Sequence, residues 1–296
     1  MTTGSVVTTQ GKQIVINRTF NAVPTYTIPQ YFSLGIGTST PVIGDTALSY
    51  AIPITKTNVV DACNAITGWT GSADATISLN TTTYKEGTGS LNLAKTGTAS
   101  SVCNMSKTTP TADFTGKSLN LWFFVKDAST LAKLTATSCV EIRYGSGSGN
   151  YYYWRKDIGD FAVGWNWIHG LTSANATGTT GTPVIGTCIY TLVQFSVTAN
   201  SVVTAAGDTI VEDIYLTLPA DYYAVNFVGF PIIDEATLMI TNKLFLTTTQ
   251  ANGFQLAEFG IFNADTPKKD FSRAVHTSIT KTSSVQIFYI EKDEIL

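Results

Sequence analysis

The sequence predicts an all-β protein: a β-rich base domain made from both chain ends, with a β-sandwich domain inserted between them. Three observations carry this. Apolar and polar residues alternate in strand-length bursts from end to end, clusters of Gly, Asn, Asp and Pro separate the bursts, and helix signals are sparse. Alternation of period two puts every second side chain on one face of a strand, which is how a sheet with one wet face is written.

Taken in order, the alternating segments are Gln13 to Ile16, Thr76 to Leu79, Ser90 to Leu93, Ser118 to Phe123, Val140 to Tyr144 and Val285 to Tyr289. The turns between them include Gly87 to Gly89, Gly145 to Asn150, Gly178 to Pro183 and Ala206 to Asp208, residues that supply positive φ or polar turn chemistry. Gly145 to Asn150 reads as a flexible hairpin loop and not as a phosphate cradle, because a strand follows it where a cradle needs a helix. A single short helix is expected around Asp127 to Leu134, capped by Asp127 or Ser129. The terminal Glu291 to Glu294 reads as a solvated tail that discourages edge pairing.

Texture divides the chain. From Val59 to Ala220 the sequence is rich in Thr, Gly and Ser and holds every Cys and every Trp. Residues 1–58 offer two or three strands and residues 221–296 four or more, and neither flank closes a sandwich alone. Together they form the expected base domain, with residues 59–220 as an insert in one of its loops.

Composition narrows the function. The chain has 296 residues, a net charge of −3 and no run of Lys or Arg, so nucleic acid is not an expected partner. The most apolar stretch, Tyr222 to Ile233, is short and broken by Asn226, Gly229 and Pro231, so no membrane span is expected. The start, Met1 to Ser5, lacks the basic and apolar parts of a signal peptide, and the expectation is a protein that folds in a reducing compartment. Cys63, Cys103, Cys139 and Cys188 are spaced too widely for zinc and are expected to be free, buried thiols. With 2 His, 13% charged residues and no G-x-S-x-G elbow, the expectation is a protein without enzymatic activity. His169 and His276 are expected at the surface, each isolated. Asp157 with Asp160, or Asp234 with Glu235, is a conceivable glycosidase pair, but their spacing argues nothing for that chemistry.

The aromatic cluster Tyr151, Tyr152, Tyr153, Trp154, Trp165 and Trp167 is the sharpest candidate for binding, since flat rings are what sugars stack upon. Alternation places Tyr151 and Tyr153 on one face with Tyr152 and Trp154 behind, and Trp165 with Trp167 on a common face. At least one of these sets is core. Tyr151, Tyr153, Trp154 and Trp167 are the candidate glycan-binding residues.

Two resemblances add to this reading. Phe32 to Thr38, Thr40-Pro41 and Gly44 to Leu48, with Asn252-Gly253, Leu256 to Ala264, Phe271 to Val275 and Ile279 to Ser284, resemble a pattern of small structural proteins of tailed bacteriophages. In those proteins the two parts share one β-rich domain. The middle resembles the jelly-roll modules related to carbohydrate-binding domains through Trp69, Glu86 to Leu91, Leu121 to Val125, Tyr152 to Trp154, Gly164 to Asn166 and Val211 to Tyr215. The resemblance implies a structural Ca²⁺ held by Glu86 and Asp213, and a packing role for Trp165. The phage resemblance implies a non-enzymatic structural protein of a phage virion, assembled in the host cytoplasm, anchored by the base domain and projecting the jelly roll outward. Such a protein is expected to contact itself as a symmetric homo-oligomer and to contact other virion proteins. The alternative is a receptor-binding module that grips host surface polysaccharide.

Overall fold

A computed structural model describes residues 2–224, 232–234 and 239–294. The chain enters through β1 (Thr2–Val7), helix α1 (Thr9–Phe20), β2 (Pro29–Gly35) and β3 (Ala51–Ile52). A long middle section follows: β4 (Asn58–Asp61), β5 (Thr70–Gly71), β6 (Ala75–Asn80), β7 (Ser90–Lys95), β8 (Val102–Ala112), β9 (Ser118–Val125) and α2 (Ala128–Lys133). It continues with β10 (Val140–Gly147), β11 (Asn150–Lys156), β12 (Gly164–Leu171), β13 (Gly178–Thr180), β14 (Cys188–Ser196) and β15 (Thr209–Thr217). The chain then returns through β16 (Ile232–Asp234), β17 (Met239–Leu246), β18 (Gln255–Asn263), β19 (Asp270–Thr280) and β20 (Ile287–Glu294). The protein is all-β in class, and contacts divide it into two compact units, Met1–Thr55 with Pro219–Leu296, and Lys56–Leu218.

In the first unit, strands from the two chain ends share an antiparallel sheet of order β1-β19-β18-β2-β3. Leu34 pairs with Phe259 and Val6 with Arg273, so the register joins positions more than two hundred residues apart. A second sheet of order β16-β17-β20 belongs to the same unit. Arg273 is 2% exposed and bonds Glu258 through Nε, Asp45 Oδ2 through Nη1 at 2.6 Å, and Ser39 through Nη2. Glu258 also accepts from the backbone N–H of Ser49 and of Tyr50. One buried guanidinium therefore ties the segment around residues 39–50 to β18 and β19.

Helix α1 falls where a strand was expected over Gln13 to Ile16. The β-branched run Ile14-Val15-Ile16 favours a strand on propensity, yet the Thr8 hydroxyl caps the helix by accepting from Gly11 N–H at 3.0 Å. Gly11 lies so close to β19 that a Cβ there would sit 2.2 Å from the Phe271 carbonyl oxygen. Tertiary packing has overridden the local preference. The terminal residues are also corrected: Glu291 is 2% exposed, bonded to the Ser272 hydroxyl, and lies within β20, which pairs with β17. The stretch Tyr222 to Ile233 and the Asp234–Glu235 pair fall largely outside the described residues.

The second unit is a sandwich of two sheets, one of order β13-β11-β10-β14-β8-β5 and one of order β12-β9-β15-β7-β6 with β4 also on β15. Leu91, Leu93, Leu119, Leu121 and Phe123 come from the second sheet and meet Met105, Val140, Ile142, Tyr144 and Phe195 from the first. Phe114 packs edge-on against Tyr144 and Trp154 at 5.3 and 6.1 Å. The expected helix is present as α2, where the Asp127 side chain accepts from Thr130 N–H at 2.8 Å. The Gly145 to Asn150 loop is tighter than expected: β10 and β11 run on until Gly147 pairs with Asn150. All four cysteines are buried thiols, and burial pushes Cys103 and Cys139 up to about 12.

Candidate functional site

Strand parity decides what each face of the sandwich carries. In β9, Leu119, Leu121, Phe123 and Val125 enter the core, so Asn120, Trp122 and Phe124 face away from it. Across the ladder Phe124 pairs with Trp165 and Trp122 with Trp167, which puts both β12 tryptophans on the same outward face. The rings pack into one layer: Phe124 to Trp165 is 5.1 Å between centroids, Trp122 to Trp165 is 6.5 Å and Trp122 to Trp167 is 6.2 Å. Phe124, Trp165 and Trp167 are half-buried, while Trp122 between them is 6% exposed and supports the layer from beneath Lys85. His169 continues it, stacked on Trp167 at 4.0 Å and 16°. Burial, followed by the nearby Lys156 charge, keeps the His169 imidazole below its usual range.

The same face turns polar toward its other edge. Phe124 pairs with Ile210, Ile210 with Asn92 and Asn92 with Ser78, a row running across four strands from aromatic to amide and hydroxyl. Asn80 Nδ2 donates to Asn92 Oδ1 at 3.0 Å, and Asn92 Nδ2 donates to the Ser78 hydroxyl at 3.0 Å. A groove of about 500 Å³ opens here, with Phe124, Asn92, Asn80, Thr82 and Lys126 among its walls.

An ionic cluster buttresses the aromatic half. Trp167 Nε1 donates to the Tyr215 hydroxyl at 2.9 Å, and Lys56 Nζ stands 4.7 Å above the Tyr215 ring. Lys56 is bound to Glu86 and, at 2.6 Å, to Asp213 Oδ2. Lys85 Nζ lies 4.6 Å from the Trp122 ring, and its backbone N–H donates to Glu212 Oε2 at 2.6 Å. Burial drives the Glu212 carboxyl up to about 8, against the N–H groups of Glu86 and Lys85 that hold it down. Burial likewise raises Asp213 to about 6, opposed by the Lys56 charge.

The residues expected for calcium, Glu86 and Asp213, do converge. Asp213 reaches the site from a bulge in β15 with φ of +50°. The cation between them is the Lys56 ammonium, which binds both carboxylates. Calcium asks for six to eight oxygens, and among the described residues no group of three or more His, Cys, Asp or Glu side chains gathers to hold a metal.

The aromatic candidates separate. Of the four glycan candidates, Trp167 alone lies on the grooved face. Trp154 is 2% exposed in the core, its Nε1 donating to the Thr172 carbonyl at 3.1 Å and to Asn175 Oδ1 at 3.0 Å. Tyr151 and Tyr153 face outward on the opposite sheet, each covered by a guanidinium, Arg143 and Arg155, at 4.9 and 4.8 Å. Trp165, expected to be packing, lies on the grooved face, half-buried. Neither histidine is isolated: His276 Nε2 is 3.2 Å from the Tyr289 hydroxyl. Asp157 and Asp160 are engaged by backbone groups, accepting from Ser138 N–H and from Asp157 N–H.

Trp122, Phe124, Asn92 and Asn80 are new to the site. Parity in Leu119 to Val125 contained the signal, but Leu121-Trp122-Phe123-Phe124-Val125 is apolar throughout and hides which face is wet.

No known protein family and no curated protein matches the chain. Among solved structures it is similar to a family 11 carbohydrate-binding module from Clostridium thermocellum in complex with a β-1,3-1,4-mixed-linked tetrasaccharide. That likeness has 11% identity and a TM-score of 0.38, over 54% of this chain and 94% of that one. It is also similar to the CBM22-1 xylan-binding domain of Paenibacillus barcinonensis Xyn10C, at 11% identity and a TM-score of 0.32, over 55% of this chain and 96% of that one.

Proposed function

We propose that this protein binds carbohydrate without cleaving it, and that the outward face of the β12-β9-β15-β7-β6 sheet is the binding surface. The carrying observation is the half-buried ring layer of Trp165, Phe124 and Trp167, held together by the buried Trp122 and running into a groove lined by Asn80 and Asn92. Sugar rings have apolar C–H faces and hydroxyl rims, so they match aromatic shelves beside amide and hydroxyl groups. Five strands at about 4.8 Å spacing span about 19 Å, room for a chain of several sugars laid across the strands. Absence of cleavage is supported by Asp157 and Asp160, whose carboxylates are used to fix backbone turns.

The test is titration of the full chain with soluble neutral polysaccharides, mixed-linkage β-glucan, xylan and dextran, followed by calorimetry. Binding to one of them, weakened at least about tenfold by Trp165→Ala, supports the reading. Absence of binding to all three at millimolar sugar, or unchanged affinity in the variant, overturns it.

A finer reading places the protein in a tailed-phage particle, with the first unit as its attachment and a symmetric oligomer as its working form. It is supported by the resemblance of the two sequence ends to phage structural proteins. Asp45, Glu258 and Arg273, which the ion network brings together, all fall within those patterns. Recovery of the protein from purified particles, in fixed stoichiometry, checks it.

A further inference from the structure

The sandwich has a second outward face, on the sheet containing β10 and β11, and its chemistry differs from that of the groove. Glu141, Arg143 and Gly145 face outward along β10 and pair with Arg155, Tyr153 and Tyr151 of β11. Glu141 is 4% exposed and takes both arginines at once: Arg143 Nε donates to Oε1 at 2.6 Å and Arg155 Nε to Oε2 at 2.7 Å. One carboxylate thus orients two guanidiniums. Each guanidinium then lies over a tyrosine, Arg143 over Tyr151 and Arg155 over Tyr153, so the ring faces themselves are covered. Gly145 is required for this layer, since a Cβ there would meet Tyr151 Cα at 2.4 Å.

Two consequences follow from that packing. The tyrosines do not offer their faces to a sugar, as Arg143 and Arg155 have taken that place. The guanidiniums, in turn, are held by Nε alone, and among the described residues their Nη groups have no hydrogen-bond acceptor. The Arg143 and Arg155 side chains retain 25% and 46% exposure, so these donors reach solvent. Two positive charges over one buried carboxylate leave the patch with a net charge of +1, and the fork ends of oriented guanidiniums match the oxygens of a carboxylate or sulfate. Beside them Tyr190 stands 6.1 Å from Tyr151, half-buried, with Thr108 paired opposite it on β8. This supplies a ring shelf and a hydroxyl next to an oxyanion site.

We infer that Arg143 and Arg155 form an oxyanion clamp for an acidic polysaccharide, separate from the neutral-sugar groove on the opposite sheet. The recognised group is a carboxylate or sulfate carried on a sugar ring, and the ring rests against Tyr190.

The experiment titrates the full chain with polygalacturonate, dextran sulfate and uncharged dextran at low and at physiological salt. Binding to either charged polymer over dextran is expected, and which of them binds identifies the oxyanion. The variant R143Q/R155Q with E141Q, which strands no buried carboxylate, is expected to lose at least tenfold in affinity while keeping its thermal transition. R143K/R155K keeps the charge and removes the fork, and is expected to lose most of that affinity. Equal binding of all three polymers, or full affinity in the lysine variant, overturns the clamp in favour of no site or of unspecific attraction. Trp165→Ala is expected to leave binding to the charged polymer unchanged, so failure of the groove and failure of the clamp are read separately.

Discussion

Lys56 Nζ lies 2.6 Å from Asp213 Oδ2, with Glu86 on the same ammonium, and so a lysine at the start of the second unit neutralises a carboxylate that is only 7% exposed. Burial works to lower the Lys56 ammonium, and the two carboxylates outweigh it and raise it. The same ammonium faces the Tyr215 ring, whose hydroxyl receives the Trp167 indole N–H. The charge cluster and the aromatic shelf are therefore one mechanical unit.

Lys56→Met is expected to destabilise the protein strongly, by about 3–5 kcal/mol, because it leaves a buried carboxylate uncompensated. Denaturant unfolding measures this. Lys56→Met together with Asp213→Asn is expected to recover most of the loss, and a double variant as unstable as the single one would rule out the charge explanation.

Stability is expected to fall as pH rises through the range set by Glu212 and Asp213. Both carboxyls titrate higher in the folded chain, near 8 and 6, than their ordinary values of 4.5 and 3.8. The folded state therefore holds these protons more tightly, and the stabilisation is complete below the unfolded values and lost as pH climbs through the folded ones. Thermal unfolding at intervals from pH 5 to pH 9 is expected to show this slope, and Glu212→Gln to flatten it between the two Glu212 values.

Trp154→Phe is expected to cost about 1–3 kcal/mol, since it shrinks a ring packed in the core and deletes the indole N–H that bonds the Thr172 carbonyl and Asn175 Oδ1. Its affinity for neutral polysaccharide is expected to equal that of the parent chain. Trp167→Phe, by contrast, is expected to lower that affinity several-fold, because it removes the bond that fixes the ring against Tyr215. Calorimetry on the pair of variants separates the core ring from the surface ring.

Thr8→Ala is expected to lower stability by about 1 kcal/mol by removing the cap on α1. Hydrogen exchange over α1 checks it, through faster exchange of the Gly11 amide than in the parent chain.

The strands that the sequence announced most clearly are those that alternate apolar and polar residues. Thr76 to Leu79, Ser90 to Leu93 and Val140 to Tyr144 all lie inside β6, β7 and β10, because period-two alternation is a local mark of the two faces of a strand. How far each face is covered was decided by packing: β7 is buried on both faces and β6 on neither. The Asp127 cap was legible for the same reason, as a side chain bonding its own neighbours. Helix α1 was not, since the close approach of Gly11 to Phe271 that stabilises it joins residues 260 positions apart.

The candidate site divides along the same line. Composition and the run of rings around Tyr151 to Trp167 determined that aromatic faces would dominate the inserted unit, because so much planar apolar surface has to be either core or contact. Which ring became which was decided by pairing. Trp154 went inward against Phe114, Tyr151 and Tyr153 went under arginines, and Trp165 and Trp167 joined Trp122 and Phe124 on a strand more than forty residues away. Register between distant strands sets these neighbours, and a side chain's alternation along its own strand carries no information about the strand beside it.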